Sequence, residues 1–262
     1  MRDAPSLVAL VPARQGSKRV TGKNIRALCG HPLIGYTIAA ALESGVYDAV
    51  IASTDSEEIA SIARHYGAEV PFLRPAALAE DTSPDIEFVE FTLGALAQQG
   101  RAFDCFSLLR PTSPFRSAET IRRAWRAFLD DPNVDSLRAV EKCHEHPGKM
   151  WVIRDHRLLP LLPFGRSESS ALGPPPPTQP WHSTPYQALP EVYVQNASLE
   201  IGWTRIVKEG RTIAGETILP FLTRDAEGFD INDELDWMLA EHLLETGGAT
   251  LPAIRQPAYP GR

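Results

Sequence analysis

Apolar and polar positions change in blocks along the first half of the chain, and each block has the length of one strand or one helix. Short apolar runs such as Ser6–Val11 predict buried strands, whereas segments with apolar residues three and four positions apart, such as Pro32–Ser44, predict helices. The predicted strands are Ser6–Val11, Asp48–Thr54, Glu69–Leu73, Asp104–Arg110 and Val134–Lys142. The helices between them are Pro32–Ser44, Ser56–Gly67, Ser83–Gly100 and Ser117–Asp130. This alternation predicts an α/β fold with a doubly wound, mostly parallel sheet.

The pattern changes after Lys142. The following segment, from Cys143 to about Glu191, contains the run "GPPPPTQP", whose prolines exclude a central strand or a helix interior. Aromatic residues on both flanks favour burial over a disordered linker, so we interpret residues 143–191 as an irregular arm or lid inserted in a single domain, 1–262. A strand over Glu191–Ile201, and a strand end that runs into an amphipathic helix over Phe229–Glu245, complete the prediction.

Composition restricts the classes of function. A chain of 262 residues with 43% hydrophobic residues can bury a full core. The formal net charge of −7 argues against broad nucleic-acid binding, which requires an extended excess of Lys and Arg. The chain lacks a run of the roughly 20 apolar residues that cross a bilayer, and it lacks a secretory signal pattern. We therefore expect a cytoplasmic protein with reduced thiols at Cys29, Cys105 and Cys143.

A basic loop, "PARQGSKRVTGKN", follows the first predicted strand. It has five residues between Gly16 and Gly22, one more than a P-loop, and Asn24 stands where that motif has the Ser or Thr that binds magnesium. It also differs from the dinucleotide-binding pattern G-x-G-x-x-G. Backbone amides and basic side chains at the carboxyl end of a strand bind phosphate, so we interpret this loop as a triphosphate-binding loop; on residue content alone, a solvated basic turn is the alternative.

Five segments of the chain, in order, resemble the acylneuraminate cytidylyltransferases, the CMP-sialic acid synthetase family. They are "LVALVPARQGSKRVTGKNIRALCGHPLIGYTI", "STDSEEIA", "YGAEVPFLRPAALAEDTS", "LLRPTSPFRS" and "FDINDELDW"; the proline-rich segment matches weakly. The resemblance implies a nucleotide-diphospho-sugar transferase-like, Rossmann-like fold. It also implies that the anomeric hydroxyl of a nonulosonic acid attacks the α-phosphate of CTP and that pyrophosphate leaves. A Mg²⁺ or Mn²⁺ cofactor and a homodimer that exchanges the inserted arm are further implications.

The resemblance also implies site residues for a reaction that depends on positioning and charge neutralisation. The expected catalytic residues are Arg14, Lys18, Lys23 and Asp230. Expected nucleotide contacts are Ala13, Gln15, Gly16, Ser17, Asn24, Arg74, Asp85, Thr112 and Ser113. Expected acceptor contacts are Arg110, Lys149, Tyr186, Gln187, Asn196 and Glu200. The expected metal ligands are Asp230 with Asn232 or Asp233, whose oxygens suit Mg²⁺, although without the family context Asp230 is equally typical of a helix cap.

Departures from the family pattern concern the substrates. Arg110 stands where sialate enzymes often have Gln, Tyr186 where an Arg is common, and Glu200 where "NGAIYI" becomes "NASLEI". We therefore expect an acceptor other than N-acetylneuraminate, such as legionaminic acid, pseudaminic acid or a sugar 1-phosphate, for which Arg110 is a natural phosphate partner. Asp85 stands where relatives have a small hydroxyl residue. Its carboxylate suits either guanine, which makes GTP an alternative to CTP, or a helix cap.

Other chemistries have weaker support. The cluster "CHEHPGK" groups Cys143, His144 and His146 but has no second ligand pair, which argues against zinc. Ser17 and Ser113 lie in no nucleophile-elbow motif, which argues against acyl-transfer hydrolysis. Three hypotheses remain: synthesis of a CMP-activated nonulosonic acid, a GTP- or CTP-dependent sugar-1-phosphate nucleotidylyltransferase, and a nucleotide-binding homologue without turnover.

Overall fold

The computed structural model describes residues 4–16, 20–162 and 180–260. In chain order its strands and helices are β1 (Leu7–Pro12), β2 (Ala27–Leu28), β3 (His31–Pro32), α1 (Leu33–Ser44), β4 (Ala49–Ser53), α2 (Glu57–His65), α3 (Asp85–Gln98), β5 (Cys105–Leu108), α4 (Ala118–Asp130), β6 (Ser136–Lys142), β7 (Trp151–Arg154), β8 (Arg157–Pro160), β9 (Tyr193–Trp203), α5 (Thr204–Gly210), β10 (Ile218–Leu222) and α6 (Glu234–Thr246). Contacts group these residues into two units, one formed before Glu141 and after Val194 and the other from Glu141 to Val194.

Within the described ranges, six strands form the main sheet in the order β10–β6–β9–β5–β1–β4. β1 is parallel to both β4 and β5, β10 is parallel to β6, and β9 is antiparallel to β5. The sheet is therefore mixed and mostly parallel, which confirms the predicted fold class.

The continuous apolar run of β1 reflects burial on both faces of the sheet. Leu7, Ala9 and Val11 belong to a core cluster with residues of α1, α2 and α4. Val8 and Leu10 belong to a second cluster with residues of α3 and α5. All five side chains are fully buried, as expected for a parallel strand covered by helices on both sides.

Two predicted strand segments are wrong. Over Glu69–Leu73 the described chain makes one isolated parallel bridge, between Ile51 and Glu69, because Pro71 has no N–H to continue a ladder. Residues 229–232 are irregular rather than a strand end; they follow a 3-10 helix at Asp225–Gly228 and precede α6. Asp230 thus lies in a loop and not at the end of a strand.

The structure also adds elements that the sequence pattern did not indicate. The helix α5 and the strand β10 lie between Ile201 and Phe229. β10 contains Pro220, which an edge strand tolerates.

The unit from Glu141 to Val194 is not irregular throughout. β7 and β8 form an antiparallel hairpin, with Trp151 opposite Pro160 and Arg154 opposite Arg157. Most of the proline-rich run lies outside the described residues, so its interpretation as an arm or lid stays a prediction. In the described part of the chain, no helix is long and apolar enough to span a membrane.

Candidate active site

A cleft of about 440 Å³ opens beyond the carboxyl ends of β1 and β5, where open α/β sheets bind ligands. Pro12 and Arg14 reach it from the end of β1, and residues 110–112 reach it from the segment after β5. The predicted site residues that line it are Arg14, Lys23, Asn24, Arg74, Asp85, Arg110, Thr112, Asp230 and Asn232. Folding therefore brings together half of the predicted nucleotide and metal residues from distant parts of the chain.

The loop after β1 is held to two other segments by hydrogen bonds. Lys23 Nζ donates to the main-chain carbonyl of Ile231 at 2.7 Å, and the amide of Ile231 donates to the carbonyl of Thr112 at 2.9 Å. Asn24 is 7% exposed, and its Nδ2 donates to the carbonyl of Arg14 at 3.1 Å, which fixes the loop. The basic loop, the loop after β5 and the loop before α6 thus form one connected wall of the cleft.

The start of the basic loop is anchored to the segment after β4. The amide of the buried Ala13 donates to the carbonyl of Ser53 at 2.9 Å, and the amide of Gln15 donates to Asp55 Oδ1 at the same distance. Gly16 follows, and a Cβ added at this position would meet no atom of the described residues within 4 Å. Ser17 and Lys18 lie outside the described residues, so their expected roles stay predictions.

Arg14 and Arg74 supply positive charge to the cleft in different environments. Arg14 Nη1 lies 2.8 Å from Asp81 Oδ1, in a pair that is about one-third exposed. Arg74 is 6% exposed, with its guanidinium carbon 5.2 Å from the centroid of the Phe88 ring. Its Nε is buried without an acceptor among the described residues, and burial lowers the pKa of Arg74. When an anion enters, Arg74 Nε can gain an acceptor, and Arg14 can exchange Asp81 for the anion.

The loop before α6 contains one carboxylate with an unused oxygen. Asp230 Oδ2 accepts a hydrogen bond from Asn232 Nδ2 at 2.8 Å, whereas Oδ1 is buried without a hydrogen-bond partner in the described structure. Asp233 Oδ1 instead accepts from the amides of Leu235 and Asp236, at 2.9 and 3.1 Å, and caps α6. The alternative that Asp230 is a helix cap is therefore wrong, because Asp233 caps α6 and Asp230 keeps an oxygen that can coordinate a metal.

Three residues at which the chain departs from the family pattern contact one another or a shared partner. Arg110 Nη1 lies 2.6 Å from Glu200 Oε1, and Arg110 Nη2 forms an ion pair with Asp85 Oδ2. The other oxygen of Glu200 pairs with Arg138. The alternative that Asp85 caps α3 is wrong, because the N-cap position is Pro84 and the described residues show no side-chain cap there. Asp85 serves an ion pair instead.

Sequence reasoning missed Arg116, although the quoted motif "RPTSPFRS" contains it. This residue is 1% exposed, and its guanidinium donates to Thr37 Oγ1 at 2.9 Å and to the carbonyls of Arg110 and Ser198. Burial lowers the pKa of Arg116 to about 10, while the nearby charge of Asp230 acts in the opposite direction. The signal available in the sequence was the position of this arginine, directly after apolar residues and directly before the predicted helix Ser117–Asp130.

Ser113, in the same motif, is 1% exposed, with a hydroxyl that has no partner in the described structure.

Three of the four remaining predicted acceptor residues form hydrogen bonds with other residues of the chain. In the unit from Glu141 to Val194, Lys149 Nζ donates to the carbonyl of Thr184 at 2.8 Å, and Tyr186 Oη donates to the carbonyl of Cys143 at 2.7 Å. Gln187 belongs to the 3-10 helix Tyr186–Ala188 of the same unit. In the other unit, which contains most of the main sheet, Asn196 Nδ2 donates to Thr223 Oγ1 at 2.9 Å. Contact of these four residues with an acceptor stays a prediction.

Known proteins resemble this chain over nearly its whole length. A family model described as cytidylyltransferase matches residues 8–148. A CMP-N,N'-diacetyllegionaminic acid synthase from Legionella pneumophila is 37% identical over 241 residues, covering 91% of this chain and 96% of that protein. A pseudaminic acid cytidylyltransferase from Campylobacter jejuni is 35% identical over 134 residues, 51% of this chain and 58% of that protein.

Among solved structures, a CMP:2-keto-3-deoxy-manno-octonic acid synthetase complexed with CTP aligns with a TM-score of 0.64. The alignment covers 92% of this chain and 99% of that chain at 12% identity, so it bears on the fold alone. The family model covers more than half of the sequence and includes the basic loop, Arg74 and the "RPTSP" segment. The chain belongs to the cytidylyltransferase family, and it is a nucleotidyltransferase.

Proposed function

We propose that this protein transfers CMP from CTP to a nonulosonic acid related to legionaminic acid and releases pyrophosphate. The observation that carries the proposal is the cleft, which places Arg14, Lys23 and Arg74 in one lining with Asp230. The full-length similarity to a legionaminic acid synthase supports this acceptor class.

The cations of the cleft would hold the phosphates that leave as pyrophosphate. Arg14 pairs with Asp81 in this structure, so binding of the triphosphate requires Arg14 to exchange a carboxylate for a phosphate oxygen. Lys23 is fixed by the Ile231 carbonyl, and Arg74 brings a buried charge whose Nε lacks an acceptor among the described residues. Neutralising the leaving group in this way lowers the barrier for attack by the anomeric hydroxyl, and no covalent enzyme intermediate is needed.

The loop before α6 fits a divalent metal, because Asp230 Oδ1 is buried and has no hydrogen-bond donor among the described residues. Mg²⁺ is typically held by one or two protein oxygens together with substrate phosphates and water, so a single carboxylate assisted by the Asn232 amide oxygen is a sufficient donor set. When bound, Mg²⁺ or Mn²⁺ would withdraw charge from the α-phosphate of CTP. In this proposal Asp233 caps α6 and does not bind the metal.

The ion pair between Asp85 and Arg110 favours this function over the two alternatives with other substrates. A carboxylate that reads guanine uses both oxygens, but Asp85 Oδ2 already accepts from Arg110. A sugar 1-phosphate at Arg110 would lie beside the negative charge of Asp85. It would also compete with the buried Glu200 for the guanidinium group of Arg110. CTP and a sugar acid that is not phosphorylated avoid both conflicts.

Pyrophosphate release tests the proposal directly. The purified enzyme with Mg²⁺ is given CTP or GTP and, in turn, legionaminic acid, pseudaminic acid, N-acetylneuraminate and a set of sugar 1-phosphates. We expect release with CTP and a nonulosonic acid, fastest with a legionaminic acid. Release with sugar 1-phosphates alone, or binding of CTP without turnover of any sugar acid, would contradict the proposal.

We further propose a homodimer formed through the unit from Glu141 to Val194. The β7–β8 hairpin exposes apolar side chains, with Ile153 76% and Leu158 61% exposed. Contiguous exposed apolar surface of this kind is typical of interaction sites. Light scattering at assay concentration should give twice the chain mass of 28.8 kDa, and a monomer would contradict this assignment.

A further inference from the structure

Four charged side chains form a continuous network at the cleft. Asp85 pairs with Arg110, Arg110 pairs with Glu200, and Glu200 pairs with Arg138. We call these four residues the ion network. Two positive and two negative charges alternate along it, so the network is neutral overall.

The pair Asp85 and Arg110 is more exposed than the pair Glu200 and Arg138. The side chain of Asp85 is 40% exposed and that of Arg110 is 24% exposed, whereas those of Arg138 and Glu200 are 11% and 2% exposed. A buried charge is tolerated only when it is paired and hydrogen-bonded, and removing one partner leaves the other uncompensated. Burial lowers the pKa of Arg138, in keeping with its position at the buried end. The orientation of the exposed pair therefore depends on the buried pair.

Glu200 and Arg138 of the ion network lie on the side of β5 away from the basic loop, whereas Asp85 is the first residue of α3. In the sheet, β9 lies between β5 and β6; Glu200 is on β9 opposite Leu108 of β5, and Arg138 is on β6. The basic loop follows β1, on the opposite flank of β5. A triphosphate held by that loop leaves the β5–β9–β6 side of the cleft to the second substrate.

We propose that the ion network forms the acceptor-selecting wall of the cleft, and that Arg138 is a positioning residue that holds Arg110 and Asp85 in place through Glu200. This inference rests on the proposed function. Both terminal nitrogens of Arg110 are engaged by carboxylates, so the wall presents the Asp85 carboxylate to the ligand. A carboxylate accepts hydrogen bonds, so it takes an N–H or O–H group of the sugar acid, such as an acylamino substituent, and repels a phosphate.

Steady-state kinetics of paired variants test the assignment. Arg138→Met leaves Glu200 paired with Arg110 alone, and Glu200→Gln removes the carboxylate that pairs with Arg138. The double variant Arg138→Met/Glu200→Gln removes one charge of each sign. We expect each single variant to raise KM for the nonulosonic acid about tenfold, which is the order of one charge-assisted hydrogen bond. We expect the double variant and Arg138→Lys to return KM to within about threefold of the unmodified enzyme. The KM for CTP should change less than twofold in all four.

Arg101→Met is the matched control, because Arg101 forms two hydrogen bonds with Glu69 outside the cleft. It should leave both KM values unchanged. A role of Arg138 in folding alone would lower the melting temperature and the amount of active enzyme while leaving KM for the acceptor unchanged, and that result overturns the inference. An equal rise in both KM values, or a rise for CTP alone, overturns it as well. If the unmodified enzyme turns over no nonulosonic acid, the proposed function fails and the inference falls with it.

Discussion

Lys23 donates a hydrogen bond from Nζ to the main-chain carbonyl of Ile231 at 2.7 Å, across 208 positions of the sequence. The contact fixes the ammonium group of the basic loop beside the loop that contains Asp230. In the proposed reaction Lys23 would thus have two roles, as a cation for phosphate and as a link between two loops of the cleft wall.

Replacing Lys23 separates these roles. Lys23→Met removes both the charge and the link, so kcat/KM should fall by a factor on the order of 10² to 10³, comparable to the loss of one preorganised electrostatic group. Lys23→Arg keeps the charge and should retain more activity than Lys23→Met. Pyrophosphate release at saturating CTP gives both values, and equal rates in the two variants would show that charge at this position is not used.

Asp230 and Asp233 lie three positions apart but should respond in opposite ways. Asp230→Asn should lower kcat by a factor on the order of 10² or more and raise the Mg²⁺ concentration needed for half-maximal rate, because its unused carboxylate oxygen is lost. Asp233→Ala should lower the free energy of unfolding by about 1 kcal/mol, the typical value of a helix cap, with kcat within about twofold.

Magnesium titrations and urea unfolding of the two variants check this difference. Asp233→Asn is the control, since Asn caps helices as well as Asp does. If Asp233→Ala needs more Mg²⁺ than Asp233→Asn at equal stability, Asp233 is a metal ligand and our assignment is wrong.

Arg116 should be a structural requirement of the site. Arg116→Met leaves the carbonyls of Arg110 and Ser198 without their donor, and each such loss costs about 1 to 3 kcal/mol. We expect the free energy of unfolding to fall by about 2 to 4 kcal/mol and kcat to fall with it, because these carbonyls belong to the segments that line the cleft. Arg116→Lys should recover part of both values, and a variant as stable and active as the unmodified enzyme would contradict this role.

Tyr47 should make stability depend on pH in the alkaline range. Burial raises the pKa of Tyr47 from 10.0 to about 12. Above pH 10 the unfolded chain releases this proton and the folded chain keeps it, so the free energy of unfolding falls between pH 10 and pH 12. The loss from this group is about 2 to 3 kcal/mol by pH 12.

Urea unfolding at several pH values from 8 to 12 measures the slope. Tyr47→Phe removes the titrating group and should flatten the decrease, at the cost of the hydrogen bond to Ser107 Oγ, which is worth about 1 kcal/mol. Identical slopes for Tyr47→Phe and the unmodified protein would show that Tyr47 does not titrate in this way.

The sequence alone determined the elements whose signal is local. β1 was predicted from its apolar run and α4 from its apolar spacing, because each pattern is complete within a few residues. The short range of these signals also explains the misses. β10 contains a proline and is defined by pairing with β6, about 80 positions earlier, which local periodicity does not contain.

The candidate active site likewise has features that the sequence alone determined and features that only folding decided. The basic loop, Asp230 and the departures at Asp85, Arg110 and Glu200 were visible as residues, since their chemistry belongs to the side chain. Only the tertiary structure decided that these three departures pair with one another and with Arg138. It also decided that Asp233 caps a helix while Asp230 keeps an oxygen unused. The physical reason is that charges and hydrogen bonds act over a few ångströms, so the role of an ionic side chain is fixed by the partners that folding places beside it.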